Sequence, residues 1–181
     1  GSYQVFDQAD TPIERPPGVV RAALRMSALL LSLAAMAFPV QAFDRYTAHG
    51  GPVRDLTISP DGSMLVSASF DYSAVVWTAP QIIEKSTLYA HEAAVNTARF
   101  SPDGKLLATA GDDGRIYLWK KDVLADEDPE PIILSGHKGK VVNLAFSDDG
   151  SLLASASWDG SIGLWPLDRG PEVAAEDSRF I

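Results

Sequence analysis

The sequence predicts an all-β protein assembled from repeated four-stranded antiparallel sheets, and three observations predict it. A polar set returns in register: His49, Ser67, Asp71 and Trp77 recur as His91, Thr109, Asp113 and Trp119, and again as His137, Ser155, Asp159 and Trp165. His and Asp stand 22 residues apart each time, Asp and Trp stand 6 apart, and the unit steps by 42 and then 46 residues. Turn signals return with it, as Ser59-Pro60-Asp61-Gly62, Ser101-Pro102-Asp103-Gly104 and Ser147-Asp148-Asp149-Gly150. Between the turns lie short apolar runs of strand length. A step of ~40–45 residues that opens on His and closes near Trp marks four-stranded propeller blades.

Each element has a local reason. In the turns, Pro presets φ at the second position, Asp caps its own backbone and Gly accepts positive φ; the third turn keeps the Gly and loses only the Pro. Met64–Ser69, Leu106–Gly111 and Leu152–Ser157 are small and apolar, as suits strands covered on both faces. Val75-Val76-Trp77 and Ile116-Tyr117-Leu118-Trp119 are β-branched or aromatic, as half-buried strands prefer. A fourth strand is expected near Ile82–Tyr89 in the first unit and Pro131–Leu134 in the second. In the third, Gly170 to Ile181 reads as a loop running into a fourth strand. The units divide at about 48–90, 90–135 and 136–181.

These residues resemble the WD-repeat (WD40) β-propeller family over roughly residues 43–181. Each unit reads as an AH or GH pair, an apolar strand, an SPDG-like turn, a small-residue strand, an Asp turn and a strand ending in Trp. Ala48 and Ala90 replace the usual Gly before His, and Thr78, Lys120 and Pro166 follow the Trp residues where the family often has Asp. The resemblance implies one hydrogen-bonded network per blade: His49, Ser67, Asp71 and Trp77; His91, Thr109, Asp113 and Trp119; His137, Ser155, Asp159 and Trp165. Buried polar groups must be paired, and a fully satisfied network rigidifies the place where it sits. An Asp–His–Ser set also looks superficially like a hydrolase triad. Its recurrence in every unit favours the structural role.

Three blades do not close a propeller, since closure takes four to eight. Phe43–Thr47 lies where the family places a ring-closing strand. The expectation is therefore an incomplete ring, either the first part of a longer propeller or an assembly with a second copy, because uncovered sheet edges and apolar faces favour pairing.

Ahead of the repeats, residues 26–42 form a short apolar run broken by Pro39, preceded by Arg21 and Arg25 and ended by Val40-Gln41-Ala42. This is a secretory signal pattern with cleavage after Ala42, implying export and a periplasmic location; a stable span would need ~20 apolar residues. Residues 1–25 are polar and Pro-rich, and are read as an upstream or disordered extension.

The chemistry the chain excludes is informative. It has no Cys, hence no disulfide, thiolate nucleophile, Cys-based zinc site or C-x-x-C-H haem attachment within these residues. No metal or cofactor is expected. Asp112-Asp113-Gly114 lacks the spaced acidic ligands of a calcium loop and is read as a blade turn. The net charge is −9, and because the three basic and three acidic residues before position 43 cancel, all of it belongs to the repeats. That balance argues against nucleic acid as the main partner, which requires clustered Lys and Arg. Much of the acid lies in 122–130, which accounts for the longer second step and is read as a solvated loop.

The expected function is a non-enzymatic scaffold for protein partners. The resemblance implies contacts from the residue before each turn Asp, here Phe70, Asp112 and Trp158, with Pro52 and Lys140 as weaker positions on the same rim. Aromatics with polar neighbours are typical interface anchors. The N-terminal arrangement is also similar to exported WD-repeat propellers joined to a C-terminal c-type cytochrome domain. That similarity implies the alternative of electron transfer, with haem carried beyond Ile181.

Overall fold

The computed structural model describes residues 46–174 and 178–181. Expectations for 1–25, for the signal-like segment 26–42 and for 43–45 lie outside the described residues. Of the anticipated ring-closing strand Phe43–Thr47, Tyr46 and Thr47 are described, and neither is in a strand.

Twelve strands among the described residues form three antiparallel sheets of four. The first sheet runs β1 (Val53–Ile58), β2 (Met64–Ser69), β3 (Ala74–Thr78) and β4 (Ile83–Leu88), paired in that order. The second runs β5 (Val95–Phe100), β6 (Leu106–Gly111), β7 (Ile116–Lys120) and β8 (Ile132–Leu134). The third runs β9 (Val141–Phe146), β10 (Leu152–Ser157), β11 (Ile162–Pro166) and β12 (Arg179–Phe180). These are three blades of an unclosed ring. A single helical turn, α1 (Pro171–Ala174), lies in the β11–β12 connection, which the sequence reading took for plain loop.

The β1–β2 type turns follow one pattern. The Ser59 N–H donates to the Met64 carbonyl (2.9 Å), the Gly62 N–H donates to the Ser59 carbonyl (2.8 Å), and the Ser59 hydroxyl donates to Asp61 (2.6 Å). Gly62, Gly104 and Gly150 all hold φ near +70°, where a side chain is strained. The loss of Pro at position 148 leaves the third turn intact, with Gly150 N–H to Ser147 carbonyl at 2.9 Å.

The core lies between neighbouring sheets. One cluster joins the first two sheets through Val66, Val76, Leu88, Val95, Phe100, Leu107 and Trp119; another joins the last two through Ala108, Leu118, Val141, Leu144, Leu153 and Trp165. Small residues on β2, β6 and β10 let the sheets approach closely. On β1 the side chains of Val53, Leu56 and Ile58 are exposed. Among the described residues no sheet covers that strand's outer side, the side on which a further blade would pack.

One expectation needs correcting. The acidic segment 122–130 is not simply a solvated loop. A 3-10 turn over Lys121–Val123 delivers Leu124, fully buried, into the cluster between the first two sheets. The Ser86 hydroxyl on β4 also donates to the Leu124 carbonyl. Asp122, Ala125–Asp128 and Glu130 stay exposed.

Candidate functional site

Antiparallel order puts the β2–β3, β6–β7 and β10–β11 turns at one rim, together with the loops that carry the three histidines. At that rim the structure brings each sequence-predicted polar set together. In the first blade His49 Nδ1 lies 3.0 Å from Asp71 Oδ2, His49 Nε2 lies 2.7 Å from Ser67 Oγ, and Trp77 Nε1–H donates to Ser67 Oγ at 2.9 Å. In the second, His91 Nδ1 is 2.9 Å from Asp113, His91 Nε2 is 2.9 Å from Thr109 Oγ1, and Trp119 Nε1–H donates to Thr109 at 3.0 Å. In the third, His137 Nδ1 is 3.3 Å from Asp159, His137 Nε2 is 2.7 Å from Ser155, and Trp165 Nε1–H donates to Ser155 at 2.9 Å.

Donor and acceptor rules give the neutral network one direction. Indole N–H can only donate and an ionised carboxylate can only accept. Trp therefore donates to the hydroxyl, the hydroxyl donates to His Nε2, and His Nδ1–H donates to Asp. The Asp also accepts the backbone N–H that follows its His: Gly50 to Asp71 at 2.7 Å, Glu92 to Asp113 at 3.2 Å, and Lys138 to Asp159 at 2.7 Å. The loop entering each blade is thus tied to the turn between its second and third strands.

These contacts hold the carboxylates ionised. Burial alone would raise Asp71, but the Ser73 hydroxyl, the Gly50 and Ser73 N–H groups and His49 outweigh it and pull it below its ordinary value. Burial also acts against Asp113, and is outweighed by His91 and the Arg115 and Glu92 N–H groups. Asp159 is held low chiefly by the Ser161 hydroxyl and the Lys138 N–H.

The arrangement is poorly suited to acyl transfer. A serine nucleophile must be reached by substrate. Ser67, Thr109 and Ser155 are buried inside their sheets, each already accepting an indole N–H.

Sequence reasoning missed one component. Each network is flanked by an aromatic ring drawn from a different place. Tyr46 packs edge-on to Trp77 (6.5 Å), Tyr117 packs against His91 (4.3 Å) and stacks on Trp119, and Phe180 packs against both His137 (5.1 Å) and Trp165 (5.4 Å). In the third blade the residue in register with Tyr117 is Gly163, whose strand neighbour is Phe180, so the ring arrives from the fourth strand instead. Because the three rings occupy different repeat positions, aligning the repeats could not reveal them.

The anticipated rim residues lie at this same end. Phe70 is 48% exposed and Trp158 is 73% exposed, so neither is laid away on its own sheet. Each carries a cation over its face, Arg54 at 5.8 Å from the Phe70 centroid and Lys140 at 5.4 Å from that of Trp158. Asp112 is not freely presented: it is paired with Lys140 and accepts from Asn96 Nδ2 at 2.7 Å. Burial pushes Asp112 up, but Lys140, Asn96 and the charge of Arg54 bring it below its ordinary value. The Pro52 carbonyl accepts the Phe70 N–H at 3.0 Å and so helps place that ring.

Among the described residues there is no cluster of His, Cys, Asp or Glu able to hold a metal ion, and no helix long and apolar enough to cross a membrane. The family model for the WD domain, G-beta repeat, matches residues 41–78, 83–120 and 130–166. No curated protein matches the chain significantly. WD40 repeats generally form non-enzymatic platforms for protein–protein interaction. Three repeat matches over most of the chain, falling on three four-stranded sheets, place this protein in the WD40 repeat family.

Proposed function

We propose that this protein is a non-enzymatic scaffold that seats protein partners on the rim carrying Phe70, Asp112 and Trp158. The observation that carries the reading is the exposure of two large aromatics in turns, each held under a cation. Rigid aromatic rings lose little entropy on binding and are the side chains interfaces most often use as anchors. The buried networks directly beneath fix the turns that present them. Pro52 and Lys140 belong to the same surface, Pro52 by placing Phe70 and Lys140 by bridging Asp112 and Trp158.

A photo-crosslinking residue at position 70 or 158 is expected to trap a protein partner, and one at position 148, on the opposite rim, is not. Equal trapping at all three positions would remove the rim from this role. The signal-like segment 26–42 supports an exported, periplasmic scaffold. N-terminal sequencing of the exported product is expected to begin at Phe43.

A further inference from the structure

Four of the rim's charged and aromatic side chains, with one carboxylate at their centre, form a single row across all three blades. It runs Phe70, Arg54, Asp112, Lys140, Trp158. Arg54 covers Phe70 of its own blade and acts electrostatically on Asp112 of the next. Lys140 pairs with Asp112 of the second blade and covers Trp158 of the third. Lys140 is therefore the direct link between the second and third blades, while Arg54 stands on the first with its charge toward Asp112.

The backbone explains the placement. Each innermost strand breaks register at the same point: between Val53 and Asp55 on β1, between Val95 and Thr97 on β5, and opposite Ala156/Ser157 on β9. The extra residues are Arg54, Asn96 and Val142. A bulge re-aims the side chain it carries, and two of these three feed the row. Asn96 is 8% exposed; its amide N–H groups donate to Asp112 (2.7 Å) and to the Val141 carbonyl (2.9 Å). Both partners are acceptors, so the amide orientation is fixed. That leaves Asn96 Oδ1 buried without a hydrogen-bond partner.

The charge that faces solvent here differs in sign from the chain as a whole. The network carboxylates of Asp71, Asp113 and Asp159 are turned into their turns and accept His and backbone N–H groups. Asp112 is covered by Lys140 and Asn96. Arg54 and Lys138 stay exposed, Lys140 is partly so, and the exposed carboxylate of Glu92 is already paired with Arg115. The acid responsible for the net charge of −9 lies largely elsewhere, in the 122–130 loop and the Asp turns of the opposite rim.

Resting on the scaffold reading above, we propose that this row binds an extended acidic peptide segment. Its carboxylates would meet Arg54 and Lys140, and its apolar side chains would lie on Phe70 and Trp158. With neighbouring sheets about 10 Å apart and about 3.3 Å per extended residue, the row matches roughly six residues. The Lys140 ammonium has three N–H donors, so a partner carboxylate would share it with Asp112 rather than displace that pair.

The test is selection of a random 12-residue displayed peptide library on the full chain. The expected binders carry two or more Asp or Glu beside an aromatic or aliphatic residue. They lose about tenfold in affinity on Arg54→Gln combined with Lys140→Gln, and weaken as salt rises, as charge-led recognition requires. Both substitutions are at solvent-accessible positions, and an unchanged thermal unfolding curve confirms that the fold is kept. Binders that are neutral or basic, yet are lost on Phe70→Ala and Trp158→Ala, overturn the acidic preference and leave the rim as an interface. No enrichment, or binders indifferent to all four substitutions, overturns both readings.

Discussion

The middle and last sheets carry the same polar set in different surroundings. Among the described residues the middle sheet is flanked on both sides, and five of the six residues of β6 are buried; on β10, with one flanking sheet described, two of six are. The Asp113 side chain is 4% exposed, against 15% for Asp159 and 20% for Asp71. Asp71 and Asp159 accept hydroxyls from Ser73 and Ser161, whereas Arg115 stands at that position in the middle blade. One motif thus yields three environments, and the neighbour decides how far water can replace a lost contact.

The largest effect expected from this contrast is at the turn aspartates. Asp113→Ala leaves the buried His91 N–H and the part-buried Arg115 N–H without an acceptor, and should cost about 4 kcal/mol at about 1–3 kcal/mol per buried orphan. Asp159→Ala should cost about half that, because water reaches the turn. Urea unfolding of the two variants checks this, and equal losses would break the comparison between the sheets.

Next in size is Leu124→Ala. A fully buried leucine between the first and second sheets should cost about 3 kcal/mol. A change within experimental error would restore the reading of 122–130 as a plain solvated loop.

Acid should act through the same carboxylates. Asp71, Asp103, Asp112 and Asp113 are held below their ordinary value of 3.8, and Asp149 is lowered to about 2 by Ser147 and the Ser151 N–H and hydroxyl. A lowered folded-state pKa gives stability that is fully present above the unfolded value and lost as pH falls toward the folded one. The melting temperature should therefore be insensitive to these groups between pH 7 and pH 5 and fall from about pH 4 to pH 2. Asp113→Asn should make that fall shallower. A steep loss already at pH 6 would assign the sensitivity to other groups.

The smallest stability effect is expected at the rim. Trp158→Ala removes a largely exposed ring and should change stability by less than about 0.5 kcal/mol. A loss above 1 kcal/mol would mean that Trp158 supports the third blade rather than a partner.

Much of this was legible in the sequence because the informative side chains are tied to fixed repeat positions. The three small-residue strands and their turns fall where their Ser/Pro/Asp/Gly patterns put them, and the fourth strands lie within a residue or two of expectation. The rim cations were only half legible. Lys140 was placed by its spacing from His137, but Arg54 was not, because a bulge shifts the pleat by one residue and period-two alternation no longer tells which way a side chain points. Leu124 was hidden in an acidic segment whose composition reads as solvated. Phe180 was hidden because the ring that serves the third blade comes from a different strand than Tyr117 does in the second.

The pinning of Leu124 has a practical side. The 3-10 turn and that one leucine fasten the start of the long β7–β8 connection, and β8 fastens its end, while Ala125 to Asp128 bury nothing in between. That short span is a splice point: an epitope or a fluorescent reporter placed between Glu127 and Asp128 would hang from two anchored posts, on the rim opposite Phe70 and Trp158, and should leave the melting temperature and any rim binding as they were.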